Sequence, residues 1–261
     1  MIRIAAVGDI HFDRRSSGRL SRHWNQLDGR ADALLLAGDL TQVGHLDEGR
    51  ALAADLSTCP VPVVAVFGNH DYHLDQNDQI KEALEDAGVI VLERQAVTLQ
   101  FGEVTVGIAG LKGFGGGFMG ACASDFGEPE MKMFIRHTKG QAEFLRESLC
   151  ELQTDYKIAL LHYAPIPDTL FGEKKEIFPF LGSYLLGEAI DHGGADIAFH
   201  GHAHRGIERG ETLGGVPVRN VAQHVIRHAF NIYTLDAEGI ITHASSLAPQ
   251  QPENSHSQSH H

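Results

Sequence analysis

Positive charge is scarce in this chain. Its 21 lysines and arginines stand against 34 aspartates and glutamates, a formal net charge of -13, so a general electrostatic grip on nucleic acid or on an anionic membrane surface is not expected. Cysteine is scarce as well. Cys59, Cys122 and Cys150 are odd in number and far apart, which argues against a disulfide framework and fits a reducing compartment. Long apolar runs are missing: none approaches the ~20 residues of a membrane span, and the opening MIRIAAVGDIHF is apolar only briefly before Asp9 and His11. A cytoplasmic location is therefore the default expectation. Apolar residues are lacking too from 249–261, where Gln, Ser, His and Pro predominate; this stretch is expected to be a disordered tail behind a single domain at 1–248.

What the chain does have is a series of short apolar runs that end in polar residues. Residues 2–7 form a β-prone run that ends in Gly8-Asp9-Ile10-His11. Residues 33–37 form a run of the kind buried on both faces of a sheet, and it ends in Gly38-Asp39. The run at 61–67 ends in Gly68-Asn69-His70-Asp71, the run at 157–161 delivers His162, and the run at 196–199 leads into AFHGHAHRG with His202 and His204. Helical stretches are predicted at 46–57, 76–87, 138–153 and 183–192, so the first half reads as βαβ units with a largely parallel sheet. A hairpin is predicted across Gly102, so the other half of the sheet is antiparallel or mixed.

In parallel sheets, polar residues just past the carboxyl ends of the strands collect in one crevice. Asp9, His11, Asp39, Asn69, His70, His162, His202 and His204 should therefore be neighbours. In extended chain, positions i and i+2 project to one side, which suits Asp9 with His11 and His202 with His204 as paired ligands. Any one of these histidines taken alone reads as a core or surface residue. A group of ligand and acid types gathered on five strand ends does not. His200 is read as a buried histidine pointing away from the His202 side.

Two segments are less informative. Gly115, Gly117 and Gly120 formally fit GxGxxG, but no amphipathic helix begins there, and a dinucleotide site is rejected. The stretch 110–120 then reads as a mobile loop bordering a site or as a flexible connection. Residues 167–180, with Glu173, Lys174, Lys175 and Glu176, are expected to form a long loop over the crevice.

GDIH, GDL, GNHD, a single His after a strand, and GHAH, in this order, resemble the calcineurin-like metallophosphoesterase superfamily over roughly residues 1–245. The resemblance implies a four-layer α/β fold, a two-sheet mixed β core flanked by helices, with a binuclear metal centre at the strand ends. It implies that Asp9, His11 and His204 hold one metal, that Asn69, His162 and His202 hold the other, and that Asp39 bridges them. Mixed oxygen and nitrogen ligation suits two divalent or trivalent ions, Mn, Fe or Zn. By the same resemblance the catalytic pair is His70, outside the ligand set and beside the reacting phosphoryl group, and Asp71, which would either hold the His70 imidazole or cap the loop.

The sequence reads GDLTQVG and GNHD rather than the GDxVDRG and GNHE of protein Ser/Thr phosphatases. It looks more like the bacterial phosphodiesterase branch that includes class III cyclic-nucleotide phosphodiesterases. The expected function is hydrolysis of a small-molecule phosphoester, a diester first, by in-line attack of a metal-bridging hydroxide. A phosphomonoesterase, a DNA nuclease and a non-catalytic metal-binding scaffold are the alternatives. The acidic charge and the short chain beyond GHAH count against the nuclease, and the complete ligand set counts against the scaffold. Self-association is left open.

Overall fold

Alternation along the buried strands decides the architecture. In a strand, successive side chains point to opposite faces, so a run that is apolar at every position must be covered on both sides. The computed structural model describes residues 1–236 and 239–243. In chain order the first half holds β1 (Ile2–Val7), β2 (Ala33–Ala37), α1 (Leu46–Leu56), β3 (Val63–Val66), α2 (Asn77–Asp86), β4 (Ile90–Val91), β5 (Gln95–Phe101) and β6 (Val104–Leu111). There follow β7 (Gly117–Phe118), β8 (Ala121–Cys122), α3 (Pro129–Glu151), β9 (Tyr156–Leu161), α4 (Phe178–Leu181), α5 (Tyr184–Gly193) and β10 (Ile197–His200). The last described elements are β11 (Arg209–Glu211), β12 (Pro217–Asn220), α6 (Gln223–Ile226), β13 (Asn231–Asp236) and β14 (Gly239–His243).

Two six-stranded sheets result, in the orders β14-β13-β1-β2-β3-β4 and β11-β12-β10-β9-β6-β5. Both are mixed, with β1, β2 and β3 parallel in one and β6, β9, β10 and β12 parallel in the other. Ile4, Ala6, Leu35, Val64 and Val66 from the first sheet meet Val106, Ile108, Ile158, Leu160 and Phe199 from the second in one core between the sheets. The alternate residues face outward. Val7, Leu34 and Leu36 pack under Leu52 and Leu56 of α1 and Ile80 and Leu84 of α2. Ala109, Ala159 and Leu161 pack under Leu145 and Leu149 of α3 and Ile190 of α5. Helix, sheet, sheet, helix is the expected four-layer order. Each fully buried Leu, Ile or Phe contributes about 1.5–3 kcal/mol, so the double coverage of the central strands holds the frame on which their ends are set.

The largest boundary difference is α3, which starts at Pro129 rather than near 138. Proline reads as a break in a pattern, but at the first helical turn its missing N–H costs nothing and its fixed φ suits the helix. The predicted hairpin is present as β5–β6 across Gly102, at φ +61. The expected loop at 167–180 contains two short 3-10 turns, Asp168–Leu170 and Lys175–Ile177, ahead of α4. The expected tail at 249–261 lies outside the described residues, as do residues 237 and 238 of the turn expected after β13. Among the described residues no helix is long and apolar enough to cross a membrane.

Candidate metal centre

Five parallel strands end at the same rim of the sandwich, and each hands its next residues to one crevice. Asp9 and His11 follow β1, Asp39 follows β2, Asn69 and His70 follow β3, His162 follows β9, and His202 and His204 follow β10. The loops are tied to each other there: Asp9 N–H donates to Gly38 O at 2.9 Å and His11 N–H to Asp39 O at 3.0 Å. Within the second sheet Gly201 N–H donates to His162 O at 3.1 Å, and across the sheets Gly8 N–H donates to Val221 O at 2.8 Å.

The extended i, i+2 backbone expected for the paired ligands does not hold locally, although Asp9 and His11 still share one group. Asp9, His11, Asp39 and His202 have φ of 53, 40, 48 and 69, all in the left-handed region. Each such non-glycine residue costs of order 1–3 kcal/mol, so the surrounding fold is holding these four where they are. The turn at His202 also separates the two rings of GHAH. One group of candidate ligands is Asp9, His11, Asp39 and His204; the other is Asp39, His162 and His202; within each, one ligand atom per residue lies within 4.8 Å of the others. Asp39 belongs to both.

Glycine is required where the backbone passes these carboxylates. A Cβ on Gly68 would strike Asp39 Oδ1 and its backbone nitrogen, and one on Gly201 would strike Asp9 Oδ2. The glycines of GNHD and GHAH are therefore needed for close approach.

Hydrogen bonds fix the rings. His162 Nδ1 lies 3.0 Å from Ala37 O, which makes it the protonated nitrogen, and leaves Nε2 free at 3.3 Å from Asp39 Oδ1 and 3.1 Å from Asn69 Oδ1. His202 Nε2 lies 3.2 Å from Phe180 O, which makes it the protonated nitrogen and leaves Nδ1 with a lone pair. Such partners set both the tautomer and the aim of a ligand. His204 Nε2 lies 2.8 Å from Asp9 Oδ1, and Asp9 also accepts the His202 N–H at Oδ2, 2.9 Å away. His11 Nδ1 is buried without any hydrogen-bond partner, an unusual state for an imidazole nitrogen.

The charges suit cations. Burial pushes Asp9 up, but the hydrogen bond to His204 and the imidazoles of His162, His204 and His202 outweigh it and hold the carboxyl at about 2. Burial, assisted by His162, pulls His202 down to about 3, and burial also lowers His11. Neutral imidazoles and ionised carboxylates are the protonation states a metal needs. The hydrogen bond to Asp9 instead raises His204, but the orphaned nitrogen of His11, the two oxygens of Asp39 and the lowered rings of His11 and His202 fit a pair of metal ions.

His70 stands at the edge of this cluster, its Nε2 3.9 Å from Asp39 Oδ2 and its side chain 39% exposed. Its Nδ1 lies 2.8 Å from Gln42 O. The carbonyl is itself steadied by the capping box of α1, where Glu48 Oε2 accepts from Val43 N–H at 2.9 Å and from His45 N–H at 3.4 Å. Asp71 does not hold this imidazole. Fully buried, it accepts from Leu40 and Thr41 N–H at 3.1 and 2.8 Å, from the Thr41 hydroxyl at 2.6 Å and from Gly68 N–H at 2.8 Å. These four bonds, none of them to His70, put it in the alternative role expected for it, a cap that staples the loops after β2 and β3.

Burial, and then the charge of Asp39, push the Asp71 carboxyl up to about 6. Hydrogen bonds to a charged group are worth about 1.5–3 kcal/mol, and an amide at this site would turn one acceptor into a donor facing donors. Asp71→Asn is expected to lower the melting temperature of metal-stripped protein by about 5 °C or more, as measured by calorimetry.

Several contacts escape the strand-end pattern. His224 of α6 stacks on His204 with centroids 4.3 Å apart and an interplanar angle of 11°. Tyr163 lies 4.4 Å from the His202 ring. His224 comes from a four-residue helix beyond the last motif, where no spacing could mark it; Tyr163 comes one residue after His162 past the end of β9 and carries a weaker signal. His200 is buried as expected, its Nε2 2.8 Å from Thr169 Oγ1. The glycine-dense segment is pinned: Gly116 N–H donates to Pro179 O at 2.7 Å and Gly117 N–H to Gly182 O at 2.9 Å. It buttresses the stretch whose Phe180 carbonyl meets His202.

The sequence model of the calcineurin-like phosphoesterases matches residues 2–206, and the chain belongs to that family. It is accordingly a metal-dependent phosphoester hydrolase. Among curated proteins none matches the sequence. Solved structures share the fold. A Thermus thermophilus protein, TT1561, superposes with a TM-score of 0.59 at 17% identity, covering 93% of this chain and 98% of that one. A putative 5'-nucleotidase from Staphylococcus aureus gives 0.58 at 18%, covering 93% and 53%. The phosphopantetheinyl hydrolase of Mycobacterium tuberculosis gives 0.58 at 16%, covering 84% and 88%. At these identities the likeness concerns the fold alone.

Proposed function

We propose that this protein is a phosphodiesterase acting on a small-molecule phosphoester, with Asp9, His11 and His204 on one metal, Asn69, His162 and His202 on the other, and Asp39 between them. The observation that carries the reading is the membership of Asp39 in both groups of candidate ligands. A carboxylate has two oxygens and can serve two cations; Asn69 adds an oxygen without further negative charge. When bound, two such ions would supply Lewis acidity toward phosphoryl oxygens and would lower the pKa of water. The donor set suits Mn, Fe or Zn.

The chain's own residues do the rest. His162 and His202 are aimed by the carbonyls of Ala37 and Phe180. His70, fixed through Nδ1 at Gln42 O, presents Nε2 to the open side of the site. From there it protonates the departing alkoxide or donates to a phosphoryl oxygen, as a general acid must, from within hydrogen-bond reach.

The test is turnover of bis(p-nitrophenyl) phosphate against p-nitrophenyl phosphate by metal-stripped protein resupplied with Mn, Fe, Zn or Mg. A kcat/KM at least about tenfold higher for the diester, and dependent on metal, is expected. Preference for the monoester would move the reading to a phosphomonoesterase, the alternative with the same centre.

A further inference from the structure

Lys112 is the first residue after β6, and β6 runs parallel to β9. It therefore takes the place in the second sheet that His162 takes one strand over and Asp39 takes on the facing sheet. Its carbonyl accepts the N–H groups of His162 and Tyr163, both at 3.0 Å, so the residue is fixed to a turn that carries a candidate ligand. Its ammonium faces three rings, 4.9 Å from the centroid of Tyr72, 5.2 Å from Phe114 and 5.6 Å from Tyr163. Tyr163 in turn packs on His202, so Lys112 stands one aromatic ring away from the proposed metal centre.

This ammonium lacks an anion. Half-buried, it makes no ion pair and donates no hydrogen bond among the described residues, and burial lowers its pKa. The two acids whose charge reaches it are committed elsewhere. Asp39 accepts the His70 N–H at 2.8 Å, and Glu93 accepts the Tyr72 hydroxyl at 2.6 Å and pairs with Lys81 at 3.4 Å. Aromatic faces offset part of the desolvation of a cation, but a methionine would fill such a box without that cost. Beside Lys112 opens a cavity of about 230 Å³, lined also by Phe67, Tyr72, Glu93, Arg94, His137 and Gln141, with the Glu93 carboxylate already paired to Lys81. Cationic groups and aromatic faces in one concavity suit an anionic substituent.

We propose that Lys112 and this cavity form an anion subsite beside the metal centre, and that the enzyme's substrates are phosphoesters bearing a second anionic group, a further phosphate or a carboxylate. The substrate class rests on the phosphoesterase reading; the subsite does not. The test is calorimetric binding of pyrophosphate and of inorganic phosphate to the full chain carrying its metals and freed of excess metal. Lys112→Met is expected to lower the ratio of pyrophosphate to phosphate affinity at least about tenfold, and Lys112→Arg to keep it within about threefold of the wild type. A ratio unchanged within about twofold in Lys112→Met overturns the proposal. A second measurement needs no variant: pyrophosphate should slow acylation of the Lys112 amine by acetic anhydride, followed by mass spectrometry, at least about fivefold, and an unchanged rate overturns it. Absence of turnover of both bis(p-nitrophenyl) phosphate and p-nitrophenyl phosphate would count against the phosphoesterase reading while leaving these binding results to judge the subsite.

Discussion

Replacing Asp39 by asparagine is expected to lower kcat/KM on bis(p-nitrophenyl) phosphate by about 10³-fold or more, a loss of about 4 kcal/mol in transition-state stabilisation. The side chain keeps its volume, and its remaining carbonyl oxygen can still accept the His70 N–H now held at 2.8 Å. What it loses is one anionic oxygen in a site that the rings of His11, His70 and His162 approach from three sides at 3.9, 3.9 and 3.3 Å. An amide can offer one oxygen to one cation but cannot serve two. The variant should keep the far-ultraviolet circular dichroism of the wild type, since the two-sheet core lies on the other side of the strand ends. Activity within tenfold of the wild type would mean that Asp39 does not bridge.

His70→Ala is the second large effect, and its signature is dependence on the leaving group. General acid catalysis contributes about 10²–10⁴-fold where the departing oxygen needs a proton. p-Nitrophenolate scarcely needs one, so the loss in kcat/KM should be about tenfold for the p-nitrophenyl ester and should grow to about 10²-fold or more for a phenyl or alkyl ester. A loss of equal size across the series would instead place the ring on a phosphoryl oxygen. The position of His70 permits this test to be clean: its bond to Gln42 O and its 39% exposure leave it outside both groups of candidate ligands, so its removal should not release metal.

Much of this site was legible because the fold puts it at strand ends. Buried parallel strands are continuous apolar runs, and the residue after each run must leave the sheet at the same rim, so Asp39 and His162 could be placed by their position alone. The left-handed turns at Asp9 and His202 were not legible, because backbone conformation beyond a strand depends on the neighbouring loop that pins it, here through Gly38 O and the Asp9 carboxylate. Asp71 shows the same limit. Its adjacency to His70 suggested a contact, but a 3-10 turn at His70–Tyr72 sends the two side chains apart and buries the carboxylate under the Leu40 and Thr41 amides. Lys112 was hidden for a different reason: the glycines around it read as a loop, and only its pairing beside β9 shows that it occupies a strand end.

The central claim is that two metal ions share Asp39. It is tested most directly by metal content, measured by mass spectrometry of the ions released from protein loaded with Mn and then desalted. The account predicts two ions per chain in the wild type and one or none in Asp39→Asn. A wild type that retains no metal, or a variant that retains both ions, would contradict it.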